Sequence, residues 1–507
     1  MKKWGFALLM LTTVLFLLIG EKLLRKSDVL SAVNETEMVT LKWMVYGEKY
    51  QESDQVFTAF NELLHQTYPN ISVEFEVVSK DNYQKKWNMK MANTEVVDLA
   101  WMGSEVLDFS KEVKQGSLMA LDYLLNTYGQ NLKQNIPEEL WKKQKRDGNT
   151  YAIPVPGVLY RKNAVLTVNQ DLMERYGDFD QIIEDNQSSH YTTLKCFEGM
   201  ETFLKEAKDH NALGTGVSYQ TLCTIADKGY EGIYGEDCPF IIRIFDREPV
   251  VYNKYSLESY RALFETMAKW YQKGYIRQDV QYLLDPTSKD GKKSGNILFV
   301  EEYGENKSVY DSKDTEYTAL RGELDGYRFI SWESCRNCLV IPKTARHPGE
   351  AVQVLDLLNS EEGIELYRLL ANGIEKEQYI RISEDSNVIA RMMDNDRNYR
   401  YSLSPVNIGN VFQNYELAEG EFDRIREYNE EALESALIGF ELDTRMFAIE
   451  MARVELVVKK YKEMLCQGVA EDWEAVYQEF LQEMKEAGSN VIIREAQKQI
   501  DSFLSNP

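Results

Sequence analysis

Histidine and cysteine are scarce: the 507-residue chain holds four of the first and six of the second. Six cysteines cannot staple a chain of this length, so its stability must come from a hydrophobic core rather than a disulfide framework. His65, His190, His210 and His347 fall at no metal-ligand spacing, and no His-Glu-x-x-His occurs. A Gly-x-Ser-x-Gly elbow and a phosphate-binding Gly-x4-Gly-Lys-Ser loop are also missing, and Lys292-Lys293-Ser294 lacks the glycines that would make one. Positive charge is short as well: 58 Lys and Arg stand against 82 Asp and Glu, a formal net charge of −24. That balance excludes broad nucleic-acid binding and an anionic membrane surface as the main partner. No metal, cofactor or catalytic set is assigned, so the expectation is a binding protein and not an enzyme.

What is present is enough apolar chain to build large cores. With 44% apolar and 28% charged residues, the chain is neither disordered nor a multi-span membrane protein. Its length suggests two to four domains at about 100–200 residues each. The start is distinctive. Lys2 and Lys3 precede an uncharged run of 17 residues from Trp4 to Gly20, the pattern of a signal peptide or a short membrane anchor. The expectation is therefore a leader or anchor at 1–26, a polar tether at 27–38, and a folded body outside the cytoplasmic membrane. No cysteine precedes Cys196, so lipid attachment at an N-terminal cysteine is excluded.

Val39 to Tyr46 reads as a strand, and Ser53 can cap a helix with Val56, Phe57, Phe60, Leu63 and Leu64 on one face. Ile71, Val73, Phe75 and Val77 alternate as a half-buried strand. Residues 96–102 form a nearly continuous apolar run of the kind a parallel sheet buries on both faces. Strand, helix, strand, helix, strand is an α/β start. Lys142 to Lys145 reads as a polar turn, 151–156 as a proline-punctuated crossing, 165–168 as the start of a second sheet, and 286–294 as a solvated loop. From about Tyr415 the periodicity is helical, with Gly488 placed to end one helix. Residues 411–507 hold 10 basic and 21 acidic side chains, mostly on polar helix faces.

Cys335 and Cys338 have the one redox-like spacing; two semi-buried thiols or one local disulfide is the reading, since a zinc site needs a second pair. The stronger signal is aromatic density at predicted strand ends: Tyr46 with Glu48 and Lys49, Trp101 with Ser104, then Tyr151, Tyr160 and Trp332. Ligands of open α/β sheets bind beyond the carboxyl ends of strands. Flat rings there pack sugar faces while short polar groups fix hydroxyls. Trp43, mid-strand, is core. For Trp101 and Trp332, core burial and ligand contact stand open together.

Trp43-Met-Val-Tyr-Gly-Glu-Lys49, Asp98-Leu-Ala-Trp101, Asp147-Gly-Asn-Thr-Tyr-Ala-Ile-Pro154, Trp270-Tyr-Gln-Lys-Gly-Tyr-Ile276, Ile408-Gly-Asn410 and Gly439-Phe-Glu-Leu-Asp443 resemble the extracellular solute-binding proteins of family 1 that serve ABC importers. The likeness runs from residue 39 to the end, and is nearest the oligosaccharide-binding branch with a helical C-terminal region. It implies two α/β lobes of the type II periplasmic-binding-protein kind, with lobe 1 at 39–158 plus 328–372 and lobe 2 at 159–327 plus 373–507. Hinges are expected near 154–158, Arg328 and Asn372. It further implies a monomer that closes on a carbohydrate and delivers it to ABC permease subunits at the extracellular face of the membrane. Glu48-Lys49 is similar to the acidic–basic pair with which members grip sugar hydroxyls, and Asn410 joins the expected ligand set. A ligand sensor or scaffold without transport, and a surface glycan-cleaving enzyme, are the rival readings.

Overall fold

The computed structural model describes residues 38–505 except 51, 104–105, 162, 218, 236–237, 283–295, 302–308, 311–317, 333–336, 385, 393–398 and 400–407. The leader and tether at 1–37, the expected loop at 286–294, Ser104 and Cys335 lie outside the described residues.

The first core begins with β1 (Val39–Tyr46), α1 (Ser53–Thr67), β2 (Ile71–Val78), α2 (Lys80–Ala92) and β3 (Leu99–Met102). β1 and β2 run parallel, paired from Val39–Ile71 to Tyr46–Val78, with β3 parallel to β1 on its other side. The sheet is completed in the order β2, β1, β3, Cys338–Val340, Ile153–Pro154. Cys338–Val340 is antiparallel to both its neighbours, because it enters from a remote part of the chain rather than through a βαβ unit. α1 buries Val56, Phe57, Phe60 and Leu64 against the sheet, the stripe expected from their i, i+3, i+4 spacing. Ser53 does not cap it: its hydroxyl instead accepts from Tyr50 N–H at 3.0 Å. In α2, buried Tyr83 donates its hydroxyl to the Trp101 carbonyl at 2.7 Å and to that of Met44 at 3.2 Å, tying helix to sheet. Asp98 locks the far end of β3, accepting from the backbone N–H groups of Lys42, Arg346 and His347. Residues 142–143, expected as a turn, end a helix (Glu138–Lys143).

A second sheet, in the order Val309–Tyr310, Ala319–Glu323, Val165–Asn169, Asn296–Glu301, Gly216–Val217, lies in the second core. A separate three-stranded sheet is formed by Tyr230–Gly232, Phe240–Arg243 and Tyr252–Asn253. The C-terminal region is helical as its periodicity predicts: Ala448–Gln467, Trp473–Glu486 and Ser489–Ser505. Buried Tyr461, Leu465, Tyr477, Phe480, Ile492 and Ile500 join the second core. Gly488 separates the last two helices at φ +107°, backbone that suits glycine.

Packing sets the division between the cores. One draws on 39–155 and 338–408, the other on 166–332 and 437–500. Trp332 packs in the second core while Cys338 packs in the first, so this crossing falls after 332 rather than at 328. Residues 373–408 were expected with the second unit, yet Tyr399 and Ile408 belong to the first core, so the return crossing follows 408 rather than 372. Among the described residues the chain thus passes between cores three times, and the passages are hydrogen-bonded together. Arg161 N–H donates to the Phe329 carbonyl, and Phe329–Ile330 pairs in parallel with Leu433–Glu434. The Asn429 amide spans the gap, its oxygen accepting from Leu159 and Tyr160 N–H and its nitrogen donating to the Gly157 carbonyl.

Candidate functional site

At the carboxyl edge of the first sheet, Tyr46 and Trp101 stack at 4.8 Å, with Tyr83 edge-on to both at 6.1 Å. Trp101 is 3% exposed and its indole N–H has no hydrogen-bond partner. A Cβ on the following Gly103 would sit 2.4 Å from the Trp101 ring. The ring is therefore walled in on several sides and packs in the first core. Tyr46 is half-buried beside it. Glu48 and Lys49 are exposed at the same edge, but Lys49 pairs with Asp54 at 2.8 Å rather than standing with Glu48 as a grip.

Tyr151 is half-buried on the first core. Tyr160 meets Tyr428 edge-on at 5.4 Å, and the Arg328 guanidinium lies 4.3 Å over the Tyr428 ring, so this group braces the passages between cores. Asn410, 5% exposed, accepts from Phe412 N–H at 3.0 Å and caps a short turn. Trp332, 7% exposed, donates its indole N–H to the Gly232 carbonyl at 2.7 Å. Unlike Trp101, it reaches a cavity.

That cavity, about 170 Å³, opens between the two cores, with residues 107–110, Lys143, Gln144 and Arg146 on one side and Trp332 and 438–441 on the other. Asp108 caps the helix Phe109–Gln115 by accepting from Lys111 N–H. Arg146 donates to Ser110 Oγ at 2.9 Å and to the Lys143 carbonyl at 3.0 Å, and lies 4.9 Å over the Phe109 ring. Burial lowers the pKa of this guanidinium, with Glu441 opposing. Lys114 pairs with Glu441 at 3.2 Å and Lys143 with Glu434 at 3.8 Å, both across the gap. The lining combines aromatic faces, a fixed cation and acidic oxygens. It suits a neutral polar molecule with hydroxyls on flat apolar faces.

Of the expected residues, only Trp332 lines this cavity. Tyr46 and Trp101 are brought together as packing partners; Tyr160 and Asn410 go to the passages between cores. Phe109, Arg146, Phe440 and Glu441 escaped sequence reasoning, since they lie in short helices and loops without periodicity. The fragment Gly439-Phe-Glu pointed to two of them. Among the described residues, no three His, Cys, Asp or Glu side chains gather as a metal site. Cys338 is a buried free thiol, pushed up to about 12 by burial.

Two cores joined by repeated passages, with a cavity between them, define a two-lobed α/β fold. Residues 49–191 match the model of the family described as bacterial extracellular solute-binding protein, and residues 436–505 match a domain of unknown function. A carbohydrate ABC transporter substrate-binding protein of Streptococcus pneumoniae is 21% identical over 94% of this chain and 93% of its own length. The crystal structure of an N-glycan transport solute binding protein from the same species superposes with a TM-score of 0.72, at 19% identity, over 92% of this chain and 99% of that one. The same relative in complex with Man1GlcNAc gives 0.61, at 18% identity over 92% and 100% of the two chains. A human-milk-oligosaccharide (HMO) binding solute-binding protein of Bifidobacterium longum infantis gives 0.54, at 13% identity over 93% and 100%. Over residues 49–191 the chain is thus similar to the bacterial extracellular solute-binding proteins, and its fold is that of the solved members named here.

Proposed function

We propose that this protein is the receptor of an ABC importer, binding a carbohydrate between its two lobes and passing it to permease subunits in the membrane. The cavity bounded by both cores beside three hydrogen-bonded passages carries this reading. Only a ligand that touches both lobes can bias their relative position. The relatives named above for carbohydrate and N-glycan transport supply the ligand class. For that N-glycan relative, superposition falls from 0.72 to 0.61 in its complex with Man1GlcNAc and to 0.57 with Man5GlcNAc, which accords with lobes that can rearrange.

At about 170 Å³, the cavity is smaller than the roughly 300–1,000 Å³ of a closed ligand pocket. It is the base of an open cleft, to be completed by closure. Moving a population from 1:99 to 99:1 takes about 5.5 kcal/mol of preference for the closed form, and a micromolar ligand supplies about 8 kcal/mol in all. Most sugar contacts must therefore form only on closure. Binding leads to delivery and not to turnover. Among the described residues no helix is long and apolar enough to cross a membrane; the apolar run at 4–20 is the proposed leader or anchor holding the receptor at the extracellular face.

Calorimetry against a panel of neutral oligosaccharides, with small-angle scattering of the same samples, tests this. Micromolar binding with a fall in radius of gyration is expected, without release of reducing ends over hours. No binding across the panel, or steady release of reducing ends, overturns it.

A further inference from the structure

The helix Ala448–Gln467 of the second core is apolar on two opposite sides. On one side Val454, Tyr461 and Leu465 are buried, and the helix packs against Glu258–Gln272 and Trp473–Glu486. On the other, Met446, in the turn that leads into the helix, is 85% exposed, Ile449 66% and Leu456 69%. Exposed Ala452 and Arg453 lie between Ile449 and Leu456, so the stripe recurs at three and four and forms one continuous helix face. A helix resting on a core needs a single apolar face. A second one, turned to solvent, adds nothing to the fold and marks a contact surface.

Charge on this face runs against its surroundings. Residues 411–507 hold 10 basic and 21 acidic side chains, yet the exposed charges along the stripe are Arg445, Arg453 and Lys460. Arg445 pairs with Asp443 and Lys460 with Glu483, while among the described residues no ion pair reaches Arg453. The neighbouring acids of the helix turn elsewhere: Glu450 packs against Gly488, and Glu455 lies within electrostatic reach of Tyr234. The stripe also begins beside the cleft. Phe440 and Glu441 line the cavity, and Glu441 pairs with Lys114 of the first core. Between cavity and stripe, Asp443 is clamped to the last helix: its N–H donates to Gln499 Oε1 at 2.8 Å and its carbonyl accepts from Gln499 Nε2 at 3.0 Å.

We infer that Met446, Ile449, Arg453 and Leu456 form the face on which the permease docks, taking an extracellular segment that presents apolar side chains and a carboxylate for Arg453. This rests on the importer-receptor reading and adds where its partner meets it. A protein segment fits this face better than a lipid surface does. With a net charge of −24, the chain as a whole is repelled by an anionic membrane, whereas one unpaired cation set among apolar side chains suits a local acidic and apolar contact. Because the clamped segment carries the cavity wall at one end and the stripe at the other, a partner seated there touches the piece of chain that lines the cleft.

The test is photo-cross-linking of the full chain in the bacterium that produces it, with benzoylphenylalanine replacing Ile449 or Leu456, and replacing Tyr123, exposed on the first core, as control. Cross-linked peptides are identified by mass spectrometry. Adducts of positions 449 and 456 with a permease subunit are expected, absent at 123, and lowered about tenfold by Arg453→Glu but not by Arg453→Lys. An unchanged urea midpoint for Arg453→Glu reports that the variant is folded. Adducts with lipid alone or with a second copy alone, equal permease adducts at 123, or no adduct at all overturn the docking face. Binding in the neutral-oligosaccharide panel judges the receptor separately, so a bound sugar without a permease adduct removes the docking face and leaves the receptor standing.

Discussion

Two aromatic groups lie at sheet edges in the two lobes, and they behave oppositely. In lobe 1, Tyr46, Tyr83 and Trp101 satisfy one another: stacked and edge-on rings, a hydroxyl on a strand carbonyl, and Gly103 pressed against the indole. In lobe 2, Tyr191 and Tyr252 flank the Arg243 guanidinium and stay half open. Aromatic density alone does not separate core from contact surface. What separates them is how far the ring faces are already covered by neighbours.

Trp101→Ala should break the comparison most, costing about 3–5 kcal/mol in urea unfolding as a large buried ring leaves a cavity. Tyr252→Ala should cost about 1 kcal/mol or less in the same assay; equal losses would mean the two groups are alike after all. Gly103→Ala drives a methyl into the Trp101 ring and should cost about 1–3 kcal/mol through overpacking, read as a lowered Tm.

Each lobe also holds a carboxylate gripped by two lysines, which sharpens the comparison by pH. Burial raises the Glu76 carboxyl, but hydrogen bonds and charge from Lys86 and Lys90 outweigh it and leave its pKa below the usual value. Glu201 is lowered against burial in the same way by Lys269 and Lys273. For a depressed carboxyl, the stabilisation is complete above its unfolded pKa of about 4.3 and is lost as pH falls through the lower folded value. Glu76→Gln and Glu201→Gln should therefore cost about 1 kcal/mol or less at pH 7, since both pairs keep contact with solvent. Each variant should converge with wild type as the pH falls below about 4. The smallest effect is expected at the link between lobes. Lys114→Ala removes an exposed pair with Glu441, worth about 0–1 kcal/mol, and should shift the small-angle scattering of the unliganded protein slightly at low salt and not at high salt.

Much of the fold was legible in period and spacing. α1, β2 and the C-terminal helices follow from apolar stripes at i, i+3, i+4 or i, i+2, because burial of one face is a local demand that the sequence must meet locally. The candidate site was less legible. Trp332 lines the cavity and Trp101 does not, yet the two look alike in sequence; which one is covered depends on Tyr46, Tyr83 and Gly103 arriving from other elements. Asn410 shows the same limit, its amide being used by Phe412 N–H two residues on.

The sequence by itself determined the α/β start, the helical C-terminus and the family likeness. These depend on composition and on short-range periodicity. The tertiary structure alone decided where the chain passes between lobes, setting Tyr399 and Ile408 in the first core, and which rings remain open. Both are set by contacts between residues hundreds of positions apart, such as Asn429 with Gly157 and Glu441 with Lys114. No local pattern records them.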